Sequence, residues 1–201
     1  PSLPPGGPME FLRNRVFGKT WGDPHLNFGN GGQADFRGLH EHIFNFVSAV
    51  IFTVNVLTQA TDFVRWGGQL VHGSFITKLF VKIRSPRTGK LVRAACVASQ
   101  YASFRVFAAD NSTEYHNLTR VEMDGVEVLQ LSGGRFVAHG AGWEVFVNRR
   151  RLRKPVLVHS KVEVPKDSSS RWFLDISFHL LEEEGDTKKF GQATLDRIAP
   201  H

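Results

Sequence analysis

The sequence is poor in cysteine. A single thiol, Cys96, stands among 201 residues, which excludes an internal disulfide and a four-cysteine metal site and leaves stability to the packed core. Long apolar runs are also missing. The longest candidate, from Ile43 to Leu57, is broken by Asn45, Ser48, Thr53 and Asn55, well short of the roughly 20 apolar residues that a membrane helix requires. Membrane insertion is therefore not expected. No Gly-x-Ser-x-Gly elbow is present to nominate a hydrolytic serine. Acidic residues are outnumbered, 19 against 25 Lys and Arg, for a formal charge of +6. That sign favours anionic partners such as acidic polysaccharide, a phospholipid surface or nucleic acid, without choosing among them.

What the chain does contain is apolar alternation with a period of two. Phe75, Thr77, Leu79, Val81 and Ile83 fall on one side of a strand, and Ile76, Lys78, Phe80, Lys82 and Arg84 on the other. Phe52, Val54 and Val56 repeat the pattern, as do Trp172, Leu174, Ile176, Phe178 and Leu180. Asp124-Gly125 and Gly133-Gly134 supply the positive φ that tight hairpin turns need. Helical spacing is confined to Met9, Leu12 and Val16. These features predict an all-β fold, an antiparallel β-sandwich or flattened barrel, with at most one short helix. Residues 1–20 read as a Pro/Gly linker and short lead-in, and 21–201 as one domain, since 41% hydrophobic residues suffice for one substantial core.

Several residues could carry chemistry. Asp23-Pro24 is the weakest ordinary peptide linkage. The aspartate carboxyl can attack its own carbonyl carbon while a protonated proline nitrogen leaves, and His25 is placed to donate that proton. The product would be a cyclic anhydride open to water or to an amine. The same residues equally make a good turn, with Pro24 fixing φ. His40 and His42 flank Glu41 at a spacing that puts two imidazoles on one strand face, where His25 or Asp35 could add a third metal ligand. A metal-assisted hydrolase built on His25, His40 and His42 is the enzymatic alternative, a filament-forming subunit that pairs through exposed sheet edges is another, and for the histidines themselves a polar strand rim is the simpler account.

Lys78, Lys82 and Arg84 form one basic rim, and Arg149, Arg150, Arg151, Arg153 and Lys154 form the densest positive run. Both are candidate anion-binding surfaces, although such charges also guard sheet edges against aggregation. No aromatic interleaving of the kind used by single-strand nucleic-acid binders accompanies the run, so nucleic acid is not expected. Asn111-Ser112-Thr113 and Asn117-Leu118-Thr119 are glycosylation sequons in a polar stretch that reads as an exposed loop, which points to an extracellular setting. Cys96 sits among Ala94, Ala95, Val97 and Ala98 and reads as core.

The stretch Gly22-Asp23-Pro24-His25-Leu26, followed by Phe28, by Gly31-Gly32-Gln33-Ala34-Asp35-Phe36-Arg37-Gly38 and by Phe44-Asn45-Phe46, resembles the opening of a von Willebrand factor type D domain. Leu70 to Thr77 further resembles the cysteine-poor version found in extracellular proteins of protists and algae. The resemblance implies an all-β extracellular or cell-surface module that serves assembly, adhesion and binding to other subunits rather than turnover. It also implies that the bond between Asp23 and Pro24 is one that some members cut autocatalytically. Members are usually rich in cysteine and end in a segment that helps to bind calcium. Here a calcium site would need such a segment beyond His201, and no other cofactor is expected.

Overall fold

The computed structural model describes residues 16–21, 25–28, 32–99, 103–107, 114–116, 119–158, 162–163 and 171–180. Sixteen strands occur among them: β1 (Val16–Trp21), β2 (His25–Phe28), β3 (Gln33–Asp35), β4 (His42–Ser48), β5 (Phe52–Val64), β6 (Leu70–Arg84), β7 (Leu91–Val97) and β8 (Ser103–Phe107), then β9 (Glu114–His116), β10 (Arg120–Met123), β11 (Val126–Leu131), β12 (Arg135–Gly140), β13 (Trp143–Arg151), β14 (Val156–Val158), β15 (Val162–Glu163) and β16 (Trp172–Leu180). They build two antiparallel sheets. One runs β10-β11-β12-β13-β16-β1-β2-β3, and the other β15-β14-β5-β6-β7-β8-β9 with β4 also paired to β5. Among the described residues neither sheet closes on itself. The fold is an all-β sandwich rather than a barrel.

The alternation seen in the sequence is the source of the core. Phe52, Val54 and Val56 from β5, Leu79, Val81 and Ile83 from β6, and Val92, Ala94 and Cys96 from β7 bury one face of the second sheet. They meet Val126, Val128, Phe136, Ala138, Trp143, Val145, Val147, Leu174, Ile176 and Phe178 from the first. Across the interface the rings of Phe52 and Trp143 stack at 5.0 Å, with 8° between their planes.

Hairpin chemistry fixes the registers. Asp124 and Gly125 take φ of 53° and 78°, the pair of positive values that a type I′ turn demands, and join β10 to β11 as expected. Gly134 ends a one-turn 3₁₀ segment, Ser132–Gly134, with φ of 73°.

Three expectations change. The alternation of β6 breaks at Thr77, because Leu57 lies opposite Lys78 whereas Thr58 lies opposite Ile76. This bulge inserts one residue and reverses the parity, so Ile76 is buried in the main core and Phe75 packs instead on Phe63 and Phe173, at 5.8 and 4.9 Å between centroids. Val16 begins a strand rather than ending a helical turn; Met9 and Leu12 lie outside the described residues. Residues 114–116, read as loop, form an edge strand against β8, a pattern too short to show in the sequence.

Candidate functional site

The β6 strand carries the basic rim. Beyond the bulge, Leu79, Val81 and Ile83 point into the core, and Lys78, Lys82 and Arg84 are exposed on the opposite face. Register then brings neighbours that spacing along the chain does not reveal. Lys82 lies opposite Arg93 of β7, and Arg93 opposite Phe107 of β8; Phe80 lies opposite Ala95, and Ala95 opposite Arg105. Opposed residues in antiparallel strands share a face, so this surface holds Lys78, Lys82, Arg84, Arg93 and Arg105 around two phenylalanines. Phe80, Lys82, Arg93 and Phe107 line a shallow depression of about 440 Å³. Lys78 and Lys82 make no ion pair among the described residues, and Arg84 donates from Nη1 to the Gly89 carbonyl at 3.0 Å. The arrangement offers cations for anionic groups and ring faces for flat apolar ones.

The second basic run is divided by the same period of two. Arg149 and Arg151 lie on one side of β13, their guanidinium carbons 4.5 and 5.6 Å from the Trp172 ring centroid. Arg149 also donates to the Ser99 carbonyl at 2.9 Å, bridging the two sheets. Arg150 lies on the other side and donates from Nε to Asp175 Oδ2 at 3.1 Å. Arg153 and Lys154 are exposed beyond the strand, with Lys154 Nζ 5.7 Å from the Phe63 ring. Four of these five cations therefore touch the fold, on different neighbours: the run is not one patch.

His25 stands on β2 directly opposite Asp35 on β3, with Nδ1 2.6 Å from Oδ1. Asp23 and Pro24 lie outside the described residues, as do Asn111 and Asn117. His40 and His42 do not share a strand face. Glu41 adopts a left-handed φ of 55°, and its amide donates to the Thr58 carbonyl at 2.9 Å, so the chain turns at His40 and only His42 belongs to β4. His25 is in the first sheet and His42 in the second. Among the described residues no three His, Cys, Asp or Glu side chains gather as metal ligands would.

Cys96 is buried, as its small apolar neighbours led one to expect. Desolvation pushes its thiol up to about 12, with Arg149 opposing the shift, so the nucleophilic thiolate is scarce at neutral pH. The sequence reading set Phe80 on the face of Lys78, Lys82 and Arg84, but missed Arg93, Arg105 and Phe107 as parts of the same surface. Each sits on an alternating strand, but only the cross-strand register assembles them.

No family model, no curated protein and no solved structure matches the chain.

Proposed function

We propose that this chain is a non-enzymatic, extracellular β module of a structural or adhesive protein, which binds acidic polysaccharide through the exposed face of β6, β7 and β8. The observation that carries this reading is the row Lys78, Lys82 and Arg84, exposed on a rigid sheet beside the depression lined by Phe80, Arg93 and Phe107. Cations spaced along a strand suit a linear polyanion, and the ring faces suit the apolar faces of sugars. Location outside the cell rests on the two sequons and on the resemblance to von Willebrand type D domains. Self-cleavage between Asp23 and Pro24 belongs to the same proposal, supported by the Gly-Asp-Pro-His sequence.

Titration of the protein with a sulfated or uronic-acid polysaccharide at rising salt tests the binding. The triple variant Lys78→Ser, Lys82→Ser, Arg84→Ser should keep the parent's unfolding midpoint, since all three side chains are exposed, and bind more than tenfold weaker at low salt by loss of more than about 1.4 kcal/mol of charge attraction. Equal affinity of parent and variant would sink the assignment. Intact mass at pH 5 and pH 7.5 tests the cleavage: a fragment beginning at Pro24, absent from Asp23→Ala, is the expected product, and a whole chain under both conditions leaves the motif as a turn.

A further inference from the structure

We infer that the apex of the β5–β6 hairpin docks on anionic phospholipid surfaces, with Trp66 entering the headgroup layer. The strands pair out to Val64 and Leu70, and five residues close the turn, Arg65 N donating to Gln69 O at 2.8 Å and Gly68 N to Arg65 O at 3.1 Å. Trp66 at this apex is fully exposed, at 101%, the most exposed of the large hydrophobic side chains among the described residues. Gly67 and Gly68 follow it with φ of 86° and 81°, and a Cβ at either position would meet nothing within 4 Å. The apex stands clear of the rest of the fold. Leu70 adds a second partly exposed apolar group at its base.

The stalk below is well supported. Phe63 and Phe75 are buried at 4% and 5% and pack on each other, and Phe75 packs in turn on Phe173. Beside the stalk runs the segment before β14. Val64 N donates to Pro155 O at 3.0 Å, and Val156 lies opposite Phe63, which sets exposed Arg153 and Lys154 next to the hairpin that carries Arg65 and Trp66. The basic run of the sequence and the exposed tryptophan, far apart along the chain, thus meet at one end of the molecule. From Phe63 to Val71 the chain has no acidic residue, and the nearest, Asp62, is held by His72 at 2.8 Å.

Shape chooses the occupant. A saccharide platform stacks a ring on an aromatic face and surrounds it with converging hydrogen-bonding groups, whereas this indole lies between Arg65 and two glycines on an exposed turn. A soft interface asks for less: an amphipathic ring that projects, and cations around it to meet anionic headgroups. Docking of this kind is peripheral and needs no spanning segment.

Vesicles of phosphatidylcholine and phosphatidylserine in equal parts, against phosphatidylcholine alone, test the inference by co-sedimentation and tryptophan emission. The parent should sediment with the anionic vesicles only, with a blue shift in emission. Trp66→Ala should abolish the shift and weaken binding about tenfold, and Arg153→Ser with Lys154→Ser should weaken it about fivefold per charge at low salt. All three substitutions lie on exposed positions, so the variants should stay folded, with the unfolding midpoint lowered only slightly, by the loss of the Lys154–Phe63 contact. Failure of the parent to sediment, equal binding to neutral vesicles, or unchanged binding by Trp66→Ala would each overturn the inference. Loss of polysaccharide binding in Trp66→Ala, without any vesicle binding by the parent, would reassign the apex to saccharide. Because the polysaccharide surface on β6 is tested by other substitutions, the two readings stand or fall separately.

Discussion

Glu144 faces His179 across the β13–β16 pair, its Oε1 3.1 Å from Nδ1, although Glu144 itself is only 2% exposed. The contact is one of proximity rather than a hydrogen bond. Neither Glu144 Oε2 nor His179 Nδ1 has a hydrogen-bond partner among the described residues. The two belong to a longer row in which Glu122, Glu127, His139, Glu144 and His179 lie opposite one another in succession across five strands. Glu127 is held from both sides, by Arg120 and by His139.

Removing one member of this buried pair should cost more than removing both. His179→Ala leaves a carboxylate in a dry site and should destabilise by about 1–3 kcal/mol. Glu144→Gln keeps the shape without the charge, so adding it to His179→Ala should recover part of that loss. Urea unfolding of the two single variants and the double variant measures the coupling. Additivity within about 0.5 kcal/mol would mean that the pair does not interact.

The stacked rings of Phe52 and Trp143 join the sheets through the middle of the core, and both are at most 2% exposed. Trp143→Ala should cost about 3–5 kcal/mol and remove most of the near-ultraviolet dichroism. Trp66→Ala, at the exposed apex, should change stability by less than about 0.5 kcal/mol. A small loss at Trp143 would show that the sheets are held together elsewhere.

The sandwich was legible because its strands alternate cleanly: Val54, Val56, Leu79, Val81, Ile176 and Phe178 all point inward as their parity predicts, and Asp124-Gly125 turns as its residue types require. What escaped was non-local. The bulge at Thr77 follows from pairing with β5, not from any feature of the residues 75 to 78 themselves, and it alone moves Ile76 into the core. Likewise the Arg149 to Lys154 run looks uniform in sequence, yet strand parity sends Arg150 to Asp175 and its neighbours to Trp172. The pair His40 and His42 misled for a related reason. A spacing of two places side chains together only if the intervening residue is extended, and Glu41 is left-handed.

Gly38 closes the Asp35-Phe36-Arg37-Gly38 motif and runs against fully buried Thr58. A Cβ there would lie 2.4 Å from Thr58 Oγ1 and 2.6 Å from its Cβ. That hydroxyl cannot easily move, since it donates to the Leu39 carbonyl at 2.7 Å, and Gly38 N donates to Ser74 Oγ at 2.9 Å. Gly38→Ala should therefore cost about 3 kcal/mol, the top of the range for overpacking. Gly89→Ala, with φ of 69° and open space around it, should cost only about 1 kcal/mol of backbone strain. Thermal unfolding of both decides, and equal losses would show that the space beside Thr58 is not limiting.

Cys96 gives stability a dependence on alkaline pH. Its thiol keeps the proton in the folded state up to about 12, because burial disfavours the thiolate, whereas in the unfolded chain it loses the proton in the ordinary cysteine range. Above that range the unfolded state binds fewer protons than the folded state, so stability falls as pH rises, by at most about 1.4 kcal/mol per pH unit from this group. Below it both states are protonated and the effect vanishes. Between pH 8 and pH 10.5 the urea midpoint of the parent should accordingly fall further than that of Cys96→Ala, with other groups titrating equally in both. In parallel, a thiol reagent at pH 8 should leave the folded parent unlabelled and react fully once urea opens the core. Parallel pH profiles for parent and variant, or rapid labelling of the folded chain, would show that the thiol is within reach of water and that β7 is not sealed against the opposite sheet.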